Sequence, residues 1–300
     1  MTASESPVGL IGLGLVGQAI AQRLRAAGIA TLGHDIRAEA RAAFAAQGFA
    51  AADSARALGE RCETVVLAVF DTGGVIDSVE GAAGLLSATE PRTQLLIDCS
   101  TGDPDKLQAL AGRLAARGLG FVEAPLSGSS EQIAAGQATM LVGTDAATLA
   151  RAAPLLDCIA AKRVHVGGAG MGARAKLATN LVLGLNRAVL AEGMVFAERL
   201  GIAPAAFLEL VLATPARSGA AEAKGRMMVE ERFAPQSRIR QHLKDVDLML
   251  AAAADQGQAL PLSQTHAALM RAAIAAGDGE LDNAAIVRQL RRERIPPTSS

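Results

Sequence analysis

Aromatic side chains are nearly absent from this 300-residue sequence, which has seven Phe, no Trp and no Tyr. Proteins that bind single-stranded nucleic acids stack the bases on aromatic rings, and few rings are available here. The 29 basic and 30 acidic side chains leave a net charge of −1, so the basic excess of a nucleic-acid-binding protein is also missing. We therefore expect no nucleic-acid partner, and recognition by backbone groups, charges and small polar side chains.

Cysteine pairs, a leader segment and long apolar runs are missing too. Cys62, Cys99 and Cys158 form no C-x-x-C pair and no even disulfide framework. The amino terminus lacks the basic start and cleavage site of a signal peptide. No run of about 18 uninterrupted apolar residues is present to span a bilayer. These features predict a reduced, cytoplasmic protein without a membrane partner.

Metal coordination is not indicated by the histidines either. The four histidines are far apart and show no ligand spacing; they are His34, His165, His242 and His266. We expect no metal site.

Short apolar strands alternate with helical segments from residue 8 to about residue 166. This order predicts an α/β domain, a Rossmann-type doubly wound sheet that is mostly parallel. The uninterrupted apolar run 65–69 is typical of a strand that is buried on both faces. The expected strands are 8–11, 29–34, 64–70, 95–97, 120–123, 139–142 and 163–166. The expected helices between the early strands are 19–27 and 37–47.

Helical periodicity replaces the alternation after Gly172. Apolar residues three or four apart from Leu177 to Val189 predict a long helix over about 171–200 with one buried face. Further helices are expected at about 204–214, 218–232, 238–256, 262–276 and 283–292. We therefore predict a dinucleotide-binding domain at 1–168, an all-α substrate and oligomerisation domain at 169–294, and a disordered tail at 295–300.

A glycine-rich segment follows the first strand and opens the first helix. In Gly12-Leu13-Gly14-Leu15-Val16-Gly17, the first glycine permits a tight turn, the second lets the backbone approach a pyrophosphate, and the third allows close packing of helix against strand. Asp35 ends the second strand 18 residues after Gly17, near the spacing of a ribose-binding acid. The two features together predict a dinucleotide site; without a ligand, the glycines would merely form a tight turn.

The carboxylate of Asp35 also favours NAD over NADP. A carboxylate can accept hydrogen bonds from ribose hydroxyls, but it would repel the 2′-phosphate of NADP. Arg37 stands two residues later and could offset that repulsion. We interpret Arg37 instead as a solvated residue in the first turn of the next helix.

Two polar residues share one face of the long helix. Lys176 and Asn180 are four residues apart, at the edge of the buried stripe that Leu177 and Leu181 mark. This position suits a cleft. Spacing alone is equally compatible with a surface lysine and a packing amide.

A loop of small residues follows the strand at 120–123. Ser127, Gly128 and Ser129 expose consecutive backbone amides and hydroxyls, which suit a carboxylate at the carboxyl end of a strand. The same residues could form a simple serine-rich turn.

In combination, the sequence resembles the β-hydroxyacid dehydrogenase family, which includes 3-hydroxyisobutyrate dehydrogenase and tartronate semialdehyde reductase. The resemblance runs from about residue 8 to residue 290. It rests on six segments in order: 12–17, 98–101, 124–128, 170–180 with Lys176 and Asn180, 244–245 and 279–283.

The resemblance implies a Rossmann-type domain followed by a helical domain, with the active site between them. It implies that Lys176 is the catalytic lysine and that Asn180 binds substrate. Homodimers or homotetramers through the helical half are implied as well. The remaining implied roles are as follows: Ser127, Gly128 and Ser129 for the substrate carboxylate; Ser100 and Thr101 for the nicotinamide end; and Lys244 for the cofactor or the substrate.

Three residues depart from the usual family pattern. Ser129 stands where a second glycine is usual, which places a side chain beside the expected carboxylate pocket and leaves the substrate open. Val16 replaces a frequent methionine, and Leu181 replaces a frequent asparagine.

The predicted reaction is hydride transfer between NAD(H) and a small 3-hydroxy acid or its aldehyde. Lys176 would take the hydroxyl proton in oxidation and return it in reduction. We expect burial, nearby cations such as Arg174 or Lys244, and the helix amino terminus to lower its pKa from about 10.4.

Three alternatives stay open. An imine reductase shares the architecture, but proteins of that kind usually lack the lysine. A phosphogluconate-type dehydrogenase would need clustered basic residues, which Arg238 and Arg240 near Lys244 could provide. A non-catalytic NAD-binding protein is the third.

Overall fold

The computed structural model describes residues 6–293. The chain divides into two compact units, one up to Lys176 and the other from Leu177 onward. The sequence predicts the boundary between residues 168 and 169, whereas the structural division falls within the helix Met171–Arg199. The predicted disordered tail, 295–300, lies outside the described residues.

A nine-stranded sheet organises the first unit. Its strands are β1 (Val8–Ile11), β2 (Thr31–His34), β3 (Ala50–Ala51), β4 (Thr64–Leu67), β5 (Leu95–Asp98), β6 (Gly120–Glu123), β7 (Leu126–Ser127), β8 (Thr139–Gly143) and β9 (Lys162–Gly167). The expected strands all appear, with ends shifted by up to three residues. The two-residue strands β3 and β7 were not predicted.

The sheet is parallel over most of its width. Its strand order is β3-β2-β1-β4-β5-β6-β8-β7, with β9 beside β8. The first six strands in that order are parallel, and β8 runs antiparallel to both β6 and β7. In the β5 and β6 pair, Asp98 lies opposite Glu123, so two acidic residues end neighbouring strands at the same edge.

Helices connect these strands. They are α1 (Leu15–Ala26), α2 (Ala38–Ala46), α3 (Ala55–Arg61), α4 (Thr72–Glu80), α5 (Pro104–Ala115), α6 (Ser130–Ala134) and α7 (Ala146–Ile159), with a 3₁₀ turn at Leu85–Ser87. The first of them starts at Leu15, not at residue 19 as predicted, because the glycine segment itself provides its first turn.

Both faces of the sheet are packed, as the apolar runs predicted. Successive side chains of a strand point to opposite faces. In β1, Leu10 joins one apolar cluster with Ile20 of α1, while Ile11 joins the other with Leu58 of α3. The first unit is therefore a Rossmann-type, doubly wound sheet with helices on both sides.

The second unit is helical. Its helices are the later part of α8 (Met171–Arg199), then α9 (Pro204–Ala213), α10 (Gly219–Val229), α11 (Ile239–Asp255), α12 (Pro261–Ala275), a 3₁₀ turn (Asn283–Ala285) and α13 (Ile286–Arg292). These segments agree closely with the predicted ones. Met194, Val246, Met270 and Ile286 belong to its apolar core, so four helices meet there.

Among residues 6–293, α8 is the one helix long and apolar enough to cross a membrane, with a mean hydropathy of 1.2 over its most apolar window. That window is 44% buried, and it occurs within a helix that carries buried Lys176 and Arg187. Core helices of soluble proteins have the same length and composition.

Candidate functional site

The glycine loop between β1 and α1 has two positions that admit only glycine. Gly12 has a φ of +92°, and a Cβ there would lie 2.3 Å from the carbonyl oxygen of Ala68. A Cβ on Gly17 would lie 1.8 Å from the carbonyl oxygen of Gly12. At Gly14 a Cβ would meet nothing within 4 Å. The first and third glycines are therefore required by the fold, while the second borders open space.

The start of α1 fits an anionic group. Its N-cap residue is Gly14, so it begins without the side-chain cap that Ser54 gives to α3 and Asp71 gives to α4. No first-turn residue of α1 is acidic. The amino end of a helix presents backbone N–H groups and a partial positive charge, which suit a pyrophosphate.

Asp35 lies at the end of β2, next to the glycine loop. Its Oδ2 accepts a hydrogen bond of 2.9 Å from the Leu13 amide, which holds the loop against β2. Burial by itself would raise the pKa of this carboxyl, but hydrogen bonds from the Arg37 side chain and from the Arg37 and Leu13 amides hold the pKa below its ordinary value. Asp35 is thus an ionised acceptor at the position expected of a ribose-binding acid.

Arg37 lies just before α2, whereas the sequence analysis places it in the first turn of that helix. It precedes the helix as its N-cap residue, and its guanidinium contacts both carboxylate oxygens of Asp35 at 3.0 and 3.1 Å. Arg41 of the same helix donates to the Asp35 carbonyl oxygen at 2.7 Å. Two cations therefore contact Asp35, and neither the ion pair with Arg37 nor the contact with Arg41 was predicted.

Ser100 follows β5 and joins two loops. Its Oγ accepts from the Val69 amide at 3.0 Å, and its own amide donates to Asp98 Oδ1 at 2.9 Å. Ser100 is buried and the adjacent Thr101 is half-buried. The structure thus places Ser100 at the carboxyl ends of β4 and β5, the edge where ligands of open α/β sheets bind.

Lys176 is a buried residue, not the surface lysine that spacing alone allowed. Only 7% of the residue is exposed, and Nζ donates to the Leu126 carbonyl oxygen at 2.7 Å. Leu126 and Ser127 form β7, so the amine lies next to the segment predicted to hold a carboxylate. A buried amine needs such a partner, because an unpaired charge in the interior is costly.

Ser129 forms a capping box with Gln132 at the start of α6. The Ser129 amide donates to Gln132 Oε1 at 2.8 Å, and Ser129 Oγ accepts from the Gln132 amide at 3.3 Å. The neighbouring Gly128 is exposed and Ser127 is half-exposed. One of the amides that we predicted to bind a carboxylate is therefore engaged by the chain itself.

Glu123 ends β6 and is 1% exposed. Its Oε2 accepts from the Ala173 amide at 2.7 Å, and its Oε1 accepts from the Gly170 amide, so both oxygens bind the amino end of α8. Burial raises the pKa of Glu123 to about 7; the Ala173 and Gly170 hydrogen bonds oppose that rise, and the charge of Asp98 adds to it.

In the second unit, one carboxylate contacts two predicted site residues. Asp245 of α11 accepts from Asn180 Nδ2 at 3.2 Å and pairs with Lys244 Nζ at 2.9 Å. Asn180 and Asp245 are both 6% exposed. Asp245 therefore fixes the orientation of the Asn180 amide and neutralises Lys244.

Sequence reasoning gave no role to Glu123, Asp98 or Asp245. A signal was present for the first two, since each is an acidic residue that ends a short apolar strand. Within residues 6–293, no group of three or more His, Cys, Asp or Glu side chains is arranged to hold a metal ion.

Two family models together match almost the whole chain. Residues 7–168 match the NAD binding domain of 6-phosphogluconate dehydrogenase. Residues 170–290 match the NAD-binding model of NADP-dependent 3-hydroxyisobutyrate dehydrogenase.

Individual proteins agree with these matches. L-threonate dehydrogenase from Cupriavidus necator is 31% identical, over 94% of this chain and 95% of that protein. The structure of 3-hydroxyisobutyrate dehydrogenase from Salmonella typhimurium has a TM-score of 0.84 at 28% identity, covering 95% of this chain and 99% of the other. The Mycobacterium tuberculosis 3-hydroxyisobutyrate dehydrogenase with L-serine has a TM-score of 0.81 at 28% identity, covering 96% and 100%.

The fold, the dinucleotide loop and these similarities define an NAD(P)-dependent hydroxyacid dehydrogenase, an oxidoreductase that acts on CH–OH groups. The match of residues 170–290 to the 3-hydroxyisobutyrate dehydrogenase model identifies the family within this class of enzymes. The chain belongs to the β-hydroxyacid dehydrogenase family.

Proposed function

We propose that this chain transfers a hydride reversibly between NAD(H) and a small 3-hydroxy acid or its aldehyde, with Lys176 as the proton donor and acceptor. The observation that supports this most is the burial of the Lys176 amine beside Leu126 and Ser127. The relatives named above carry the names of threonate and 3-hydroxyisobutyrate dehydrogenases, and one was solved with L-serine. All three compounds are small carboxylates with a hydroxyl group.

Lys176 supplies the proton transfer that this chemistry needs. NAD, when bound, supplies the hydride acceptor, and NADH supplies the donor. In oxidation the neutral amine of Lys176 takes the proton that the substrate hydroxyl releases; in reduction the ammonium returns it. Asn180, oriented by Asp245, donates its second amide hydrogen toward the substrate hydroxyl.

The substrate carboxylate binds at Ser127, Gly128 and Ser129 in this proposal. Gly128 and Ser127 offer accessible groups, whereas the Ser129 amide already donates to Gln132 Oε1. A carboxylate that used the Ser129 amide would have to displace the Gln132 side chain. The usual family glycine at this position would lack the Ser129 hydroxyl, which accepts a hydrogen bond from the Gln132 amide in this chain.

For the cofactor we propose binding at Gly12, Leu13, Gly14, Leu15, Val16 and Gly17, with Asp35 at the ribose. Ser100 and Thr101 lie toward the nicotinamide, and Lys244 contacts the cofactor. NAD is preferred, because the ionised Asp35 faces the ribose hydroxyls. The ion pair with Arg37 weakens that preference, since it lowers the repulsion that a 2′-phosphate would meet.

An oligomer forms through α8 in this proposal. Three apolar side chains lie along one stripe of the helix, seven residues apart, and each is more than half exposed: Val182, Val189 and Phe196. Leu200 directly follows the helix and is more than half exposed as well. An apolar stripe of this kind is typical of an interface. The same stripe on a second copy matches it in a two-fold homodimer, from which a homotetramer can be built. Light scattering of the wild type and of Phe196→Glu tests this.

The cytoplasm is the proposed location. Cys62, Cys99 and Cys158 are all free thiols. Burial raises the pKa of Cys62 to about 11 and raises that of Cys99 further, so both stay protonated and unreactive at neutral pH. We propose neither a membrane nor a nucleic acid as a partner.

Three alternatives are less well supported. A phosphogluconate-type substrate would need cations for its phosphate, but Arg238 and Arg240 both pair with Glu280, at 3.3 and 2.9 Å. An imine reductase would not need the buried amine of Lys176. A non-catalytic NAD-binding protein would produce no NADH with any hydroxy acid.

The test compares Lys176→Ala with a matched control, Lys162→Ala, whose side chain is exposed at the start of β9. Production of NADH is measured against threonate, 3-hydroxyisobutyrate, serine and other hydroxy acids. We expect Lys176→Ala to lose about 10²- to 10⁴-fold in kcat, with NADH binding retained, and Lys162→Ala to match the wild type. Binding is followed by NADH fluorescence. Near-normal turnover in Lys176→Ala would refute the proposal.

A further inference from the structure

The segment from Glu123 to Leu126 binds α8 at two points. At the first point, the Glu123 carboxylate accepts the Gly170 and Ala173 amides at the amino end of the helix. At the second, the Leu126 carbonyl oxygen accepts the Lys176 amine at 2.7 Å. Ala173 and Lys176 are three residues apart, which is about 4.5 Å along a helix. One short segment therefore fixes both the start of α8 and the amine almost one turn later.

At the first point, the start of α8 and the strand ends are so close that no side chain fits between them. A Cβ on Gly172 would lie 2.8 Å from Glu123 Cβ, and a Cβ on Gly143 of β8 would lie 2.4 Å from the Gly172 amide nitrogen. Two glycines thus let the helix start reach the strand ends. In this position the negative carboxylate also meets the positive end of the helix dipole.

We propose that Glu123 is a positioning residue for the reaction: its carboxylate fixes the first turn of α8 and so holds the Lys176 amine at the Leu126 carbonyl. The inference rests on the proposed role of Lys176. Glu123 itself touches neither substrate nor cofactor in this scheme. Its effect reaches the reaction through the backbone of the helix and the direction of one side chain.

The ionisation of Glu123 affects the strength of this contact. The ionised form accepts hydrogen bonds at both oxygens, whereas a protonated carboxyl keeps a hydroxyl that opposes one of the two amide donors. Its pKa, raised by burial to about 7, places that change near neutral pH. Two charged groups act on it: Asp98 of β5 raises its pKa, and Arg174 of α8 lowers it.

The test uses Glu123→Gln, Glu123→Asp and a control, Glu63→Gln, whose side chain is exposed before β4. The first readout is the labelling rate of Lys176 by an amine-acylating reagent, measured by mass spectrometry relative to exposed Lys162. This readout does not require activity. We expect Lys176 in Glu123→Gln to be labelled several-fold faster than in the wild type, and Lys176 in Glu63→Gln to be unchanged.

The second readout is kinetic. We expect Glu123→Gln to lower kcat by about 10- to 100-fold, because small displacements of a reacting group have effects of this size. The KM for NAD should change less than about twofold, since the glycine loop and Asp35 are untouched, and the kcat profile should lose slope near pH 7. Glu123→Asp keeps the charge on a side chain one methylene shorter and should recover part of the activity.

The outcomes separate the two proposals. If Glu123→Gln folds, unchanged labelling of Lys176 and an unchanged kcat in this variant would overturn the positioning role. If Glu123→Gln does not fold, Glu123→Asp decides: wild-type labelling and wild-type kcat in that variant would overturn it. Faster labelling of Lys176 together with an active Lys176→Ala would show that Glu123 holds the amine in place, but it would refute the proton-transfer role of Lys176 and with it the effect of Glu123 on the reaction.

Discussion

Asp282 holds the second unit together through a set of buried hydrogen bonds, and replacing it tests how much a single carboxylate contributes. Asp282 is fully buried. Its Oδ2 accepts from Lys224 Nζ at 2.9 Å, from the Gln236 amide at 2.9 Å and from the Ser237 amide at 3.1 Å. Its Oδ1 accepts from the Ala284 amide at 3.0 Å. We predict that Asp282→Asn strongly destabilises the unit.

The expected loss of stability follows from the buried cations that would lose the charge of Asp282. Lys224 is only 6% exposed, and Arg187 is 4% exposed; the Asp282 charge supports the protonated guanidinium, whose pKa burial lowers to about 10. Removing one partner of a buried ion pair typically costs about 3–5 kcal/mol. The amide group of asparagine would also turn an N–H donor toward backbone donors. Since a domain is stable by about 5–15 kcal/mol, a large part of the stability is at stake.

Far-ultraviolet circular dichroism in urea is the appropriate assay, because the chain has no Trp or Tyr to report unfolding by fluorescence. Asp255→Asn, at the exposed end of α11, is the control and should change stability by less than about 0.5 kcal/mol. Lys224→Met combined with Asp282→Asn should cost less than the sum of the single changes, because the two residues interact. A free energy of unfolding for Asp282→Asn within about 1 kcal/mol of the wild type would refute this reasoning.

Two further predictions concern the cofactor and pH. Asp35→Asn should lower kcat/KM with NAD by about 10- to 100-fold, the effect of losing a charge-assisted hydrogen bond, while the value with NADP should fall less; a wild type that prefers NADP would contradict the role of Asp35. Burial and the nearby charge of Arg187 lower the pKa of His266 to about 4, from about 6.5 when unfolded. The unfolded chain therefore takes up this proton first as pH falls, so the free energy of unfolding should be full above about pH 6.5 and decrease toward pH 4, by up to about 3 kcal/mol. His266→Gln should flatten this dependence in urea titrations, and an equally steep dependence in that variant would argue against His266.

The order of strands and helices was predictable because it depends on local patterns. Apolar runs such as 65–69 mark strands buried on both faces, and the structure confirms them with Val65 and Val66 in different clusters. The direction of β8 was not predictable, since an apolar run has the same appearance in a parallel and an antiparallel strand. The start of α1 was placed too late because Gly17, unfavourable inside helices, serves there as a contact with Gly12.

The site was predictable only as residue types at suitable spacings. The spacing of Lys176 and Asn180 indicated a shared helix face, but the burial of the amine and its bond to Leu126 depend on residues 50 positions apart. The ties of Glu123 to α8 and of Asp245 to Asn180 are long-range as well. The ion pair of Arg37 was not predicted although it is local. Its partner, Asp35, is only two residues away, but the sequence does not indicate whether a charged residue before a helix forms an ion pair.

The glycines of the loop between β1 and α1 meet two different constraints. A side chain at Gly12 or Gly17 would clash with the backbone and force the main chain apart. Such a substitution would disturb the fold whether or not a nucleotide is bound. Gly14 has ordinary torsion angles, and a Cβ there would have no neighbour within 4 Å. A methyl group at this position should therefore leave the fold unchanged and interfere only with a ligand that binds in the loop. Gly14 therefore leaves room for a ligand, whereas Gly12 and Gly17 are required by the folded chain itself.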